Sequence, residues 1–189
     1  MSIEVISSNV LHNDVWRSPI TNDWPSQARA SMNAFYGNPD ADGNGQPDRA
    51  WEDSNLVYVT PPYPMVLSWD TKVPVSKIRV NRRCAASLLR VLEKVMTLYG
   101  SDETIRKARM HLFGGCYSFR LKRKGSSLST HSWGAAIDFD PGRNEFGRRY
   151  NAQVGMMPKV VVDLFGAEGW TWGGLWTRPD TMHFQAADI

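Results

Sequence analysis

Between Arg82 and Tyr99 the apolar residues Ala85, Leu88, Leu89, Val91, Leu92, Val95, Met96 and Tyr99 recur at helical spacing. Gly100 follows, where a helix readily ends in left-handed backbone. This is the clearest periodic stretch in the chain, and its apolar face must be covered by something. The rest of the pattern offers shorter pieces. Helices are predicted over 26–36, with Pro25 before and Gly37 after, from Ser101 onward, and over 158–165 with Pro158 in the first turn. Extended segments are predicted over 55–59, 64–69, 78–80, 110–113, 117–122, 135–139, 170–176 and 182–185, several of them beside Pro-rich breaks, Gly114-Gly115 or the turn Asp140-Pro141-Gly142. Such a mixture implies an α+β fold with helices packed on a small antiparallel sheet. At 189 residues the length suits one domain, with 1–80 as a largely irregular N-terminal elaboration and 81–189 as the core.

Composition narrows the function classes. The net charge is +3, and Lys122-Arg123-Lys124 is the longest basic run, so nucleic-acid binding is not expected. Apolar residues make up 42%, enough for a core. Eight tryptophans are many for this length; most suit core packing, and exposed ones would suit a groove that grips a polymer. No run reaches the roughly 18 apolar residues of a membrane span. The segment 1–16 is interrupted by Glu4, Asn9, His12 and Asp14, so no secretory leader is expected. Synthesis in the cytoplasm and a monomeric state follow as expectations, with another route out for any work on the cell wall. Cys84 and Cys116 lack a CxxC spacing and read as buried thiols.

The chain has only four histidines, and two sit in suggestive company. His131 lies seven positions before Asp138, and His183 three positions after Asp180. A catalytic zinc site wants three protein ligands and one open position, and His131, Asp138 and His183 can fill that need. The small residues Gly134, Ala135 and Ala136 permit a tight turn between the first two. Asp180 is then the natural general base, and Arg120 a group that holds a carboxylate or an oxyanion. The same spacings also fit structural histidines.

The pattern Ser-x-His-Ser-x-Gly-x-Ala-x-Asp from Ser129 to Asp138 is followed by Trp-x-Trp-Gly-Gly-x-Trp from Trp170 and Asp-x-x-His-Phe from Asp180. Together these resemble the D-alanyl-D-alanine carboxypeptidase and L-alanyl-D-glutamate endopeptidase family of zinc peptidases, which includes VanY-like enzymes and phage endolysins. The resemblance implies a hedgehog/D-Ala-D-Ala-peptidase-like fold and Zn2+ on His131, Asp138 and His183. It implies Asp180 as acid/base and Arg120 as the substrate-contacting arginine. It also implies Ser129 beside the first ligand, and Trp172 and Trp176 in the cleft wall. The implied substrate is the mixed L/D stem peptide of peptidoglycan, cut as by a lysin acting on the wall or periplasm.

Other signals are weighed beside this one. Asp40, Asp42 and Asn44 start a sequence like a Ca2+ loop, but Trp51 stands where a closing Glu is wanted. His111 reads as a satisfied, part-buried histidine, and His12 has no sequence partner. A zinc-bearing binding module of hedgehog type is one alternative. A non-haem iron oxygenase is another, although its His and carboxylate are usually two positions apart. Asp180 and Arg120 favour catalysis.

Overall fold

The computed structural model describes residues 23–123 and 125–189. The reading of 1–16 as lacking a leader, His12 and Lys124 of the basic run lie outside the described residues.

The long period forms the predicted helix, α3 (Arg82–Tyr99), capped by Asn81, whose side chain accepts from the Arg83 amide, and closed by left-handed Gly100. Its buried face carries Cys84, Leu88, Val91, Leu92 and Val95. The other helices are α1 (Arg29–Tyr36), α2 (Arg49–Asn55), α4 (Asp102–Lys107) and α5 (Lys159–Ala167). Helix α1 begins three residues later than predicted. Ser26 and Gln27 bridge instead to Asp188, which ties the chain's last residues to this corner.

Strands β1 (Leu56–Val59) and β4 (Ile78–Asn81) form an antiparallel pair. A second, six-stranded sheet contains β2 (Val66–Leu67), β3 (Asp70–Pro74), β5 (Leu112–Gly115), β6 (Ala136–Phe139), β7 (Thr171–Trp172) and β8 (His183–Gln185). Its order is β3-β2-β5-β6-β8-β7, antiparallel except for β2 beside β5. The fold is α+β.

Several predicted strands are shorter or absent. Only Leu121 of 117–122 makes a bridge, to Leu128, because Tyr117 and Ser118 donate across to the Arg79 and His131 carbonyls. In 170–176 the strand stops at Trp172 and a 3-10 turn follows, its first carbonyl at Gly173 taken by the Asp180 amide. Residues 23–80 are not irregular. They supply two helices and four strands, and Trp24, Met32, Tyr36, Trp51, Tyr63 and Met65 are buried in one apolar cluster with α3, Trp133 and Phe184. Among the described residues no helix is long and apolar enough to cross a membrane.

Candidate metal centre and cleft

Strands β6 and β8 pair so that Asp138 lies directly opposite His183. Period-two alternation therefore turns both side chains to one face at neighbouring positions. His131 arrives from the 3-10 turn Thr130–Trp133, which ends in Gly134 at φ +66°. A Cβ at Gly134 would sit 2.8 Å from the Asn81 amide nitrogen, so the left-handed turn and the close approach both demand glycine.

The three side chains are buried and converge. His131 Nε2 is 3.2 Å from His183 Nδ1 and 3.3 Å from Asp138 Oδ2, and His183 Nδ1 is 3.0 Å from Asp138 Oδ1. The other ring nitrogens fix the tautomers. His131 Nδ1 faces the Cys116 carbonyl at 2.5 Å and so carries the proton there. His183 Nε2 faces Gln185 Oε1 at 3.2 Å. That amide is itself oriented, since Gln185 Nε2 donates to the Ala187 carbonyl and the Thr130 hydroxyl donates to Gln185 Oε1. Both remaining nitrogen lone pairs then point at each other and at a carboxylate. Such an arrangement of acceptors calls for a positive charge between them, either a shared proton or a metal cation. Burial pushes the Asp138 carboxyl up, yet His131 and His183 together hold it well below the usual carboxylate range. For His183, burial works against charging, and the hydrogen bond and charge of Asp138 outweigh it and raise the pKa. Among the described residues this is the one group of three or more His, Cys, Asp or Glu side chains whose ligand atoms gather, all within 4.8 Å of one another. It can hold a metal ion.

Asp180 lines the same cleft, and its Oδ1 is buried with no hydrogen-bond partner. Burial raises its pKa against the opposing pull of His183, with the Asp138 charge adding to the rise. An unpaired, proton-retentive carboxylate beside a cation-demanding group fits a role that is completed only when water or substrate is present. Arg120 is held by its backbone: the Ser132 hydroxyl meets both its amide and its carbonyl, and the Ser129 amide donates to that carbonyl. Its side chain reaches the cleft. Ser129 is buried and lines the cleft. Trp176 lines it too, its ring 5.4 Å from that of His183 and its Nε1 unpaired. Trp172 is not part of the lining; its indole donates to the Thr181 carbonyl and its ring packs edge-on against Tyr150, so it backs the wall.

The groove has two arms. One, of about 560 Å3, holds Asp180, His183 and Trp176; the other, of about 730 Å3, runs toward β1 and β4. Both are bounded by Arg120, Arg123, His131, Asp138 and Met182, so they adjoin at His131 and Asp138.

Sequence reasoning missed Gln185, Thr130, Ser132 and the Cys116 carbonyl. Gln185 stands two residues after His183 on one strand, hence on the same face, and that spacing was the available signal. The calcium expectation finds no support. Asp40 Oδ1 accepts from the Gly45 amide and Asp42 from Asn44, so the loop spends its oxygens on its own turns and leads to Asp48, the cap of α2. His111 is part-buried as expected, but its Nδ1 has no hydrogen-bond partner among the described residues. Cys84 and Cys116 are free, buried thiols, and burial pushes Cys84 up to about 12.

A family model described as D-alanyl-D-alanine carboxypeptidase matches residues 122–186, roughly a third of the chain. The matched segment contains His131, Asp138, Asp180 and His183, and Arg120 lies just before it. No curated protein and no solved structure matches the chain.

Proposed function

We propose that this protein is a zinc-dependent peptidase that hydrolyses peptidoglycan stem peptides at the internal L-alanyl-D-glutamate bond, in the manner of a phage lysin. The observation that carries this reading is the convergence of His131, Asp138 and His183 beside the unpaired Asp180 carboxylate, within a segment similar to a peptidase family. His131 Nε2, Asp138 and His183 Nδ1 would hold the metal, since their opposite nitrogens are committed to Cys116 and Gln185. Zinc in such a site lowers the pKa of water to about 7 and polarises a carbonyl.

The chain's own residues supply the rest. Asp180, whose proton affinity is raised by burial, takes a proton from water at its carboxylate and delivers it to the departing amine. Arg120 donates to the oxygen that gains charge as the carbonyl is attacked. Trp176 walls the reacting centre against bulk solvent. Arg120, Lys122, Arg123 and Arg178 line the Asp180 arm, and none makes an ion pair with a carboxylate among the described residues. Arg123 and Arg178 both stack on Phe146, at 5.6 and 4.5 Å from its ring centre. That cationic rim suits an acidic peptide. The continuation of the groove on both sides of the metal group favours an internal bond over a terminal one.

The second reading is a D-alanyl-D-alanine carboxypeptidase, favoured by the description of the matching family model. Mass spectrometry of muropeptides digested with and without chelator separates the two. A new amino terminus on D-Glu is expected; loss of one D-Ala would assign the carboxypeptidase instead. An unchanged digest from zinc-loaded protein, also unaffected by Asp180→Asn, would sink both and leave a zinc-bearing binding module.

A further inference from the structure

The second arm of the groove is built largely by the segment that the family match does not reach. Its outer wall consists of Tyr58 on β1, Trp69 at the turn between β2 and β3, and Lys77 and Arg79 at β4. Trp69 is 67% exposed and Tyr58 64%, although both are large rings in a chain that buries most of its aromatic surface. Lys77 lies 6.0 Å from the Tyr58 ring centre, and Arg79 lies 4.9 Å from that of Tyr117 while one of its guanidinium nitrogens pairs with Glu52 at 3.3 Å. Among the described residues, Asp138 is the only carboxylate lining this arm. Gly114 and Gly115 add a stretch of bare backbone to its lining, between Phe113 and Cys116. A Cβ at Gly114 would come within 2.9 Å of the Asp138 carbonyl oxygen and Cβ, so that position must stay glycine, and Gly115 holds a left-handed φ of +125°.

Flat, exposed aromatic faces combined with donor-only cations, beside bare glycine backbone, match one kind of ligand best. A pyranose ring offers a flat C–H face to stack on an indole or phenol, and its hydroxyl, acyl and carboxyl oxygens accept from Lys and Arg. We infer that this arm is a sugar subsite, which takes the amino-sugar residue to which the stem peptide is attached while the stem runs past the metal group into the Asp180 arm. The inference rests on the stem-peptidase reading for what lies in the first arm. The continuity of the two arms through Arg120, Arg123, His131 and Asp138 joins sugar and peptide into one bound substrate. Trp69 and Tyr58 thereby acquire a specificity role without touching the reacting bond.

The test compares two soluble substrates with the full-length protein, a disaccharide-bearing stem peptide and the same stem with its sugars removed. Wild type is expected to prefer the sugar-bearing stem, and Trp69→Ala to lower that preference by about tenfold, expressed in KM. Tyr58→Ala is expected to act in the same direction, and Trp69→Phe to keep most of the preference. No preference in wild type, or one unchanged in both alanine variants, overturns the subsite. If wild type cuts neither substrate, the peptidase reading falls separately. Fluorescence titration with the same two compounds then decides the subsite. Tighter binding of the sugar-bearing stem that Trp69→Ala abolishes upholds it, and equal binding of the two overturns it.

Discussion

At the scale of single residues, the proposed metal centre depends on atoms that do not touch the metal. The lone pair of His183 Nδ1 is free for a ligand role because Nε2–H has an acceptor in Gln185 Oε1, and that oxygen faces His183 because the other end of the amide is tied to Ala187. Replacing Gln185 with Leu keeps bulk but removes the acceptor. It is expected to weaken zinc binding about 10–100-fold, the range for partners of metal-ligating histidines. Gln185→Glu, which retains the acceptor, should recover most of the affinity. Isothermal titration with zinc checks both; equal affinity in Gln185→Leu and wild type would falsify the positioning role. Asp180→Asn separates binding from chemistry. It removes the proton acceptor while keeping shape, so kcat should fall about 10²–10⁴-fold. Zinc affinity should stay near that of wild type, because Asp180 is outside the ligand group.

At the scale of elements, the contact between α3 and the end of α5 is a buried polar joint. Glu168 is almost wholly buried and accepts from Ser87, from both Arg90 Nε and Nη2, and from Lys94. Those three donors lie along one stripe of α3, and Trp24 and Trp170 add indole hydrogen bonds to the Glu168 carbonyl and to Ser87. Burial alone would raise the Glu168 pKa; the hydrogen bonds from Arg90 and Lys94 reverse that and leave it lowered. A depressed folded pKa stabilises the protein above the unfolded value of about 4.3, and the contribution drains away as pH falls through the folded value. Urea midpoints measured from pH 7 downward should therefore decline below about pH 4.3, and more steeply in wild type than in Glu168→Gln. At neutral pH, Glu168→Ala should cost about 2–4 kcal/mol, the lower side reflecting the partial exposure of Arg90 and Lys94. The elements also differ in how plainly the sequence announces them. Helix α3 carries its own apolar period, cap and stop, so its bounds are readable to the residue. Helix α2 buries only Trp51, and its side chains are held from afar, where Glu52 accepts from both Tyr117 and Arg79. Strand β3 is exposed along its whole length and shows no alternation to read.

At the scale of the whole molecule, the His131, Asp138 and His183 group was suggested by motifs and their family resemblance, and the pairing of β6 with β8 and the turn at His131 bring its three side chains together. The role of residues 23–80 was not legible, because it consists of packing and carbonyl contacts that leave no motif. Tyr36 donates to the Ala186 carbonyl at 2.6 Å, just beyond the His183 strand, and Trp133, next to the His131 turn, donates to Asn33 and to the Gly37 carbonyl. The segment thus holds the site from behind while β1, β4 and the β2–β3 turn wall its second arm. A fragment spanning 81–189 retains every proposed ligand, the proposed general base and Arg120, yet it loses Trp24, Met32, Tyr36, Trp51, Leu56, Tyr63, Met65, Ile78 and Val80 from the core. Burying a side chain of this size contributes about 1.5–3 kcal/mol. The nine together rival or exceed the roughly 5–15 kcal/mol by which a domain is stable. The fragment is therefore expected to show no cooperative urea transition and no saturable zinc binding, with or without added metal. Circular dichroism and calorimetry on 81–189 beside the full chain make the comparison. A cooperative transition together with zinc binding in the fragment would mean that 81–189 is a self-sufficient unit and that the first 80 residues are an appendage.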